Sequence, residues 1–267
     1  MTQGFLVFAH DNEQIEYGLL ALAQAKRIRR ILDKPVSIVL DDITKANLSK
    51  NYPGWQDHFD HVINSQSNAT QTKRYGEGAN QLTFHNLDRI NAYDLSPYEE
   101  TIVIDTDVLI QTRNLNKLWN STDDLLVCDR CSDLQGNKTH EFTWISDKSI
   151  KFYWATVFYF KKTEFTKLFF DRCKWVKSNY YWLAHMYEIP PSPLRNDFVW
   201  SIALHDLGHP AASIPFNLIY SIYTDVITAA SSDAVQVLSN ASLCKVTHDL
   251  HVFNKHNLTD LIRKELL

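Results

Sequence analysis

The chain has 267 residues, of which 45% are hydrophobic and 12% aromatic. That is enough apolar material for a large core, and it excludes a chain that stays disordered. A formal net charge of -4 excludes duplex nucleic acid or an anionic membrane as the main partner, since both need a basic surface.

The N-terminal stretch MTQGFLVFAHDNEQ has no charged region followed by a long apolar one, so no signal peptide is expected. Residues 5–9, FLVFA, form a short apolar run that predicts a buried strand. Asp11 followed three residues later by Gln14 has the spacing of a capping box. The helix it would open runs to about Leu32, with Ala21, Ala25, Ile28 and Leu32 on one face and Pro35 as its stop. VSIVL (36–40) is a second wholly apolar strand, as expected in a parallel sheet covered on both faces. A third, short strand is expected near 61–64. Residues 65–82 are polar and read as a loop; residues 84–91 read as helical and lead through DLSPYEE into a strand at 101–104.

The second half is more irregular. FYWATVFYFKK (152–162) predicts an aromatic strand, and Phe165, Leu168, Phe169 and Val176 have helical spacing. LRNDFVWSIALHDLG (194–208) reads as a short buried helix. NASLCKVTHDLHVFNKHN (240–257) supplies a late strand and a histidine-rich turn, and LTDLIRKELL (258–267) a closing amphipathic helix. No apolar segment approaches the ~20 residues of a membrane span. Cys128 and Cys131 have half the spacing of a zinc site, but the isolated Cys173 and Cys244 supply no second pair. Reduced thiols in a cytoplasmic protein are the expectation, and the Asn-x-Ser/Thr triplets follow from composition alone. The fold class read from this pattern is α/β, one domain over 1–267 with a mixed, mostly parallel sheet flanked by helices.

The segment EETIVIDTDVLI (99–110) carries the chemistry. Thr101 to Ile104 read as a buried strand that runs into Asp105 and Asp107. Two carboxylates there are costly without compensation. Residues two apart on an extended strand point the same way, so both can converge on one object at the strand's end. A divalent cation, completed by phosphate and water oxygens, would supply the compensation. An alternative is the nucleophilic aspartate of phosphatases, but that pair belongs on a first strand and is usually followed by Thr or Val where Leu109 stands here.

On these residues the chain resembles the GT-A-fold glycosyltransferases of the glycogenin-like and galactosyltransferase-like group. FLVFAHDNEQIEYGLLALAQAKRI resembles the group's first strand and helix, which implies that Ala9 and Tyr17 lie near the donor nucleobase. RINAYDLSPYEETIVIDTDVLI is similar to its basic residue and motif, which implies Arg89 on the donor diphosphate and Asp105, Thr106 and Asp107 on donor and cation. RNDFVWSIAL resembles the helix whose acidic residue reaches the transferred sugar, making Asp197 the candidate catalytic residue. VTHDLHVFNK is similar to a His-x-x-Gly-x-x-Lys element, implying His248 or His251 as a further metal ligand and Lys255 on the diphosphate. The resemblance further implies manganese or magnesium and a nucleotide-diphosphate sugar such as a UDP-sugar. The acceptor would be a glycan, a protein or a small molecule, and residues 1–110 and 111–267 would be nucleotide-binding and acceptor/metal halves. Rival readings are a non-catalytic sugar-binding or structural member of the same fold, and a nucleotidyltransferase, whose glycine-rich phosphate loop FAHDNEQIEYG lacks.

Three departures from the group's pattern matter. Its Asn-x-Gly is Ala155-Thr156-Val157 here, and its Asp-Gln-Asp is reduced to Asn196-Asp197. His251 stands at the glycine position and Asn254 at the lysine position, with Lys255 one residue later.

Overall fold

The computed structural model describes residues 2–65, 73–75, 82–84, 88–138, 143–146, 150–189, 194–208, 212–231 and 234–266. The chain opens with β1 (Gln3–Ala9), α1 (Tyr17–Arg27), β2 (Val36–Leu40), α2 (Asp42–Asn51) and β3 (His61–Asn64). A small hairpin, β4 (Lys73–Tyr75) and β5 (Leu82–Phe84), precedes α3 (Ala92–Leu95) and β6 (Glu100–Ile104). The middle comprises β7 (Val108–Leu109), β8 (Leu125–Cys128), β9 (Cys131–Asp133), β10 (Trp154–Lys161), α4 (Glu164–Ser178), α5 (Tyr180–Met186) and α6 (Asn196–Asp206). Last come β11 (Ala212–Ser213), β12 (Leu218–Ser221), β13 (Val226–Ala230), β14 (Val235–Ser239), β15 (Ser242–Val246), β16 (Leu250–Val252) and α7 (Lys255–Leu266).

The central sheet has the order β11-β8-β10-β6-β1-β2-β3. Only β10 runs against its neighbours. The expected α/β fold, a mixed and mostly parallel sheet flanked by helices, is therefore what the chain forms. β2 and β6 are buried along their whole length, as strands covered on both faces must be. A second sheet, β7-β16-β12-β9, abuts the end of β6, and β13, β14 and β15 form an antiparallel meander. Helix α1 serves two cores: Ala21, Leu22 and Ala25 face the central sheet, whereas Leu19 and Leu20 pack with Val252, Leu258 and Ile262.

Within the first ninety residues the structure departs from the sequence reading in three places. First, α1 begins at Tyr17 rather than after Asp11. Asn12 takes the N–H groups of Gln14 and Ile15 into a local turn, while Asp11 reaches on to the Gly18 N–H at 2.8 Å and the Asn47 amide at 2.9 Å. Second, α2 was not expected. Asp41, the residue after β2, is an N-cap that accepts from the Thr44 N–H. This helix buries only Thr44 and Leu48, too few positions for an apolar period; Gly18 lets it approach, since a Cβ there would meet Thr44 Cγ2 at 2.9 Å. Third, the stretch 84–91 is not one helix. Phe84 ends β5 and residues Asp88–Asn91 form a 3-10 turn; 85–87, like 66–72 and 76–81 of the expected loop, lie outside the described residues.

Phe158, Phe169, Phe170 and Trp200 join β10, α4 and α6 into the main aromatic core. Cys128, Cys131 and Cys173 are buried free thiols and Cys244 a half-buried one. No helix among the described residues is long and apolar enough to cross a membrane.

Candidate active site

The acidic motif is a turn, not the extended strand end expected from the sequence. β6 stops at Ile104, and the Val108 N–H returns to the Asp105 carbonyl at 3.1 Å. The two carboxylates therefore converge by chain reversal and not by strand pleat. Gln24, 2% exposed on α1, fastens this turn by donating from Nε2 to the carbonyls of Asp105 at 2.5 Å and Val108 at 3.2 Å. Nothing in the sequence pattern singles Gln24 out, because its partners are main-chain atoms more than eighty residues away. Gln24→Leu keeps the volume but leaves both carbonyls without their donor. The expected cost is about 2 kcal/mol, read as a Tm lower by ~5 °C; an unchanged Tm would remove Gln24 from this role.

After the turn, β7 leaves the central sheet and pairs with β16, with His251 opposite Val108 and Leu250 opposite Leu109. The Val252 N–H donates to the Asp107 carbonyl at 2.9 Å. Asp249 fixes this register from the adjoining turn: its carboxylate accepts from the N–H groups of Gln111 at 2.7 Å and Thr112 at 2.8 Å, and from the Thr112 hydroxyl at 2.9 Å. His251 Nε2 is thereby set 3.4 Å from Asp107 Oδ1. One ligand atom each from Asp105, Asp107 and His251 lies within 4.8 Å of the others. His248 is exposed, beside Asp249 and outside this cluster, and its carbonyl accepts from Gln111 Nε2 at 2.6 Å. Of the two histidines the sequence left open, His251 is the one brought to the carboxylates.

His251 lies edge-on to Trp154 at 6.2 Å and to Phe253 at 5.0 Å. Burial among these rings pushes its pKa down to about 3, so the imidazole is neutral and able to act as a ligand at ordinary pH. Its Nδ1 is buried without a hydrogen-bond partner among the described residues.

Two cations flank the carboxylates. Arg89 is buried, pairs through Nη2 with Asp105, and donates from Nη1 to the Ala155 carbonyl at 3.1 Å. Burial lowers it to about 10, so it remains charged at neutral pH. The ammonium of Lys255 contacts Asp107 Oδ2 and lies 5.8 Å from the centre of the Tyr17 ring. Burial, and then the charge of Arg89, pull Lys255 down to about 7.

Asp197 joins this group through the main chain. Its Oδ1 accepts the Ala155 N–H at 2.8 Å, and its Oδ2 is gripped by Arg195 at 2.9 and 2.8 Å. Arg195 lies over the rings of Phe152 and Phe198 at 5.6 and 5.3 Å. Ala155 and Thr156 fall in an irregularity of β10, where its register against β8 shifts between Trp154 and Phe158. The Thr156 carbonyl accepts the Asp105 N–H at 2.8 Å. This short backbone stretch thus holds Arg89, Asp197 and Asp105. Ala9 ends β1 at the same sheet edge that Asp105 leaves, and Thr106 is buried within the acidic turn.

No family model and no curated protein matches the chain. Among solved structures it is similar to the galactosyltransferase LgtC in complex with donor and acceptor sugar analogs, at 14% identity over 79% of this chain and 72% of that one, with a TM-score of 0.48. It is also similar to the glycosyltransferase GlyE of Streptococcus pneumoniae TIGR4, at 9% identity over 79% of this chain and 45% of that one, TM-score 0.49. A further similar structure is mouse xyloside xylosyltransferase 1, at 11% identity over 80% of this chain and 84% of that one, TM-score 0.43.

Proposed function

We propose that this chain is a metal-dependent glycosyltransferase of GT-A architecture that moves a sugar from a nucleotide-diphosphate sugar, such as a UDP-sugar, to a glycan, protein or small-molecule acceptor. The observation that carries the reading is the convergence of Asp105, Asp107 and His251 at the C-terminal edge of a parallel sheet, with Arg89 and Lys255 against them. Ligands of open α/β sheets bind at that edge. Two carboxylates and a neutral imidazole form a mixed oxygen and nitrogen donor set that fits manganese at least as well as magnesium.

When bound, the cation supplies positive charge against the leaving diphosphate. Arg89 and Lys255 add two more positive charges where that negative charge develops. Tyr17 gives a ring 5.8 Å from the Lys255 ammonium and is suited to stack on the base. Asp197, fixed by Ala155 and Arg195, is oriented toward sugar hydroxyls rather than left to rotate. In this reading residues 1–110 bear the nucleotide and 111–267 contribute acceptor contacts, His251 and Lys255.

The test is a thermal-shift screen of UDP- and GDP-sugars with and without manganese. A ligand that binds only the folded state raises Tm by an amount that grows with the logarithm of its concentration above Kd, so the expected result is a shift with one nucleotide sugar that needs manganese. A flat screen at millimolar ligand sinks the reading. It would favour a non-catalytic member of the fold, for which the internal pairing of both carboxylates gives a specific ground.

A further inference from the structure

Each carboxylate of the proposed cation site already has a counter-ion from the protein itself. Asp105 is paired with Arg89, and Asp107 with Lys255. The side chains of Asp107 and Arg89 are 2% and 8% exposed and those of Lys255 and Asp105 14% and 18%, so water screens either pair only weakly. Breaking one buried pair by removing one member is strongly unfavourable, because the other charge is left alone in a poorly screened site. A divalent cation that takes Asp105 and Asp107 competes with Arg89 and Lys255 for the charge of the same two carboxylates. Two buried cations that lose that charge then need an anion of matching charge within reach. A diphosphate arriving by itself meets the converse problem, since drawing Arg89 and Lys255 onto its oxygens uncovers both carboxylates. The pair Arg195–Asp197 differs, because Asp197 is also tied to the main chain at Ala155 and has no part in the exchange.

We propose that Arg89 and Lys255 are exchangeable counter-ions that make divalent cation and nucleoside diphosphate bind as one coupled event. The inference rests on the reading of the site as a cation and diphosphate site, and it adds the linkage between them. Such coupling is reciprocal: the factor by which the diphosphate tightens the cation equals the factor by which the cation tightens the diphosphate.

The experiment titrates purified protein at constant pH with manganese alone, with UDP alone, and with each in the presence of the other, by calorimetry and by electron paramagnetic resonance of free manganese. The expected result is mutual tightening by equal factors of about 10-fold or more. The decisive variant is Lys255→Met, which keeps the stem and removes the charge from Asp107. It is expected to bind manganese alone about 10-fold more tightly than the unaltered chain, while the coupling to UDP shrinks. A lysine that served only the diphosphate would leave manganese affinity unchanged. Lys255→Gln, which keeps a polar head in the same place, replaces the variant if the methionine form does not fold. Manganese affinity in the variant equal to or weaker than in the unaltered chain overturns the proposal. If UDP fails to bind with or without manganese, the assigned function falls, and the manganese comparison alone still decides the counter-ion exchange. Absence of manganese binding by both proteins overturns both.

Discussion

Asp107→Asn is expected to lower manganese-dependent turnover of a nucleotide sugar, read as sugar released from the donor, by about 10³-fold. That is about 4 kcal/mol of transition-state stabilisation, the size of effect seen when one preorganised charge partner is lost. The substitution keeps the shape of a side chain that is 2% exposed and removes only its charge. It also leaves Lys255 without its counter-ion, which would ordinarily endanger the fold. Burial draws Lys255 below the usual lysine range, but a stranded buried ammonium still costs stability, so turnover is compared only in variant protein whose melt shows it folded at the assay temperature. Turnover within a few-fold of the unaltered chain, in folded protein, would show that Asp107 holds no catalytic cation.

The largest effect on stability is expected from Trp200→Ala. Trp200 is fully buried, with ring centres of Phe158 at 5.2 Å, Phe169 at 5.7 Å and Phe170 at 6.1 Å. It is the wedge by which α6, and hence Asp197, is located against β10 and α4. Truncation removes its apolar contacts and leaves a cavity lined by rigid rings that cannot collapse, for a cost of about 4 kcal/mol. A thermal melt should show a drop on the order of 10 °C. Trp200→Phe gives a useful contrast: the indole N–H has no hydrogen-bond partner among the described residues, so its removal offsets part of the lost volume and the cost stays near 1 kcal/mol. Equal Tm losses for the two variants would refute this account of the packing.

β1, β2, β6 and β10 of the central sheet were legible because each is an apolar run bounded by polar residues, whereas β8 and the two-residue β11 went unread. Asp105 and Asp107 were legible from the apolar strand they follow, and Arg89 and Lys255 through the resemblance alone. Their convergence was not, since it depends on a turn at 105–107 and on β7 changing sheets. The choice between His248 and His251 depended on a strand register, which Asp249 sets through two N–H groups and one hydroxyl. A shift of one residue there would turn every side chain of β16 to the other face, and no spacing rule could select the register. α2 escaped notice for the opposite reason: with only Thr44 and Leu48 buried, it has almost no apolar period to read.

The backbone stretch at Ala155–Thr156 has a consequence for how freely this site can change. It holds Arg89, Asp197 and Asp105 through one N–H and two carbonyls, and a peptide group is the same whatever side chain it bears. Sequence drift at 155 and 156 can therefore replace the letters without unhooking any of the three residues, within the volume that positions 2% and 3% exposed allow. Only proline at 155, which has no N–H, would release Asp197 directly. The framework is robust to changes of side-chain identity and brittle to changes of backbone shape, so a chain with Ala-Thr-Val here can retain the same scaffold as one with a different tripeptide.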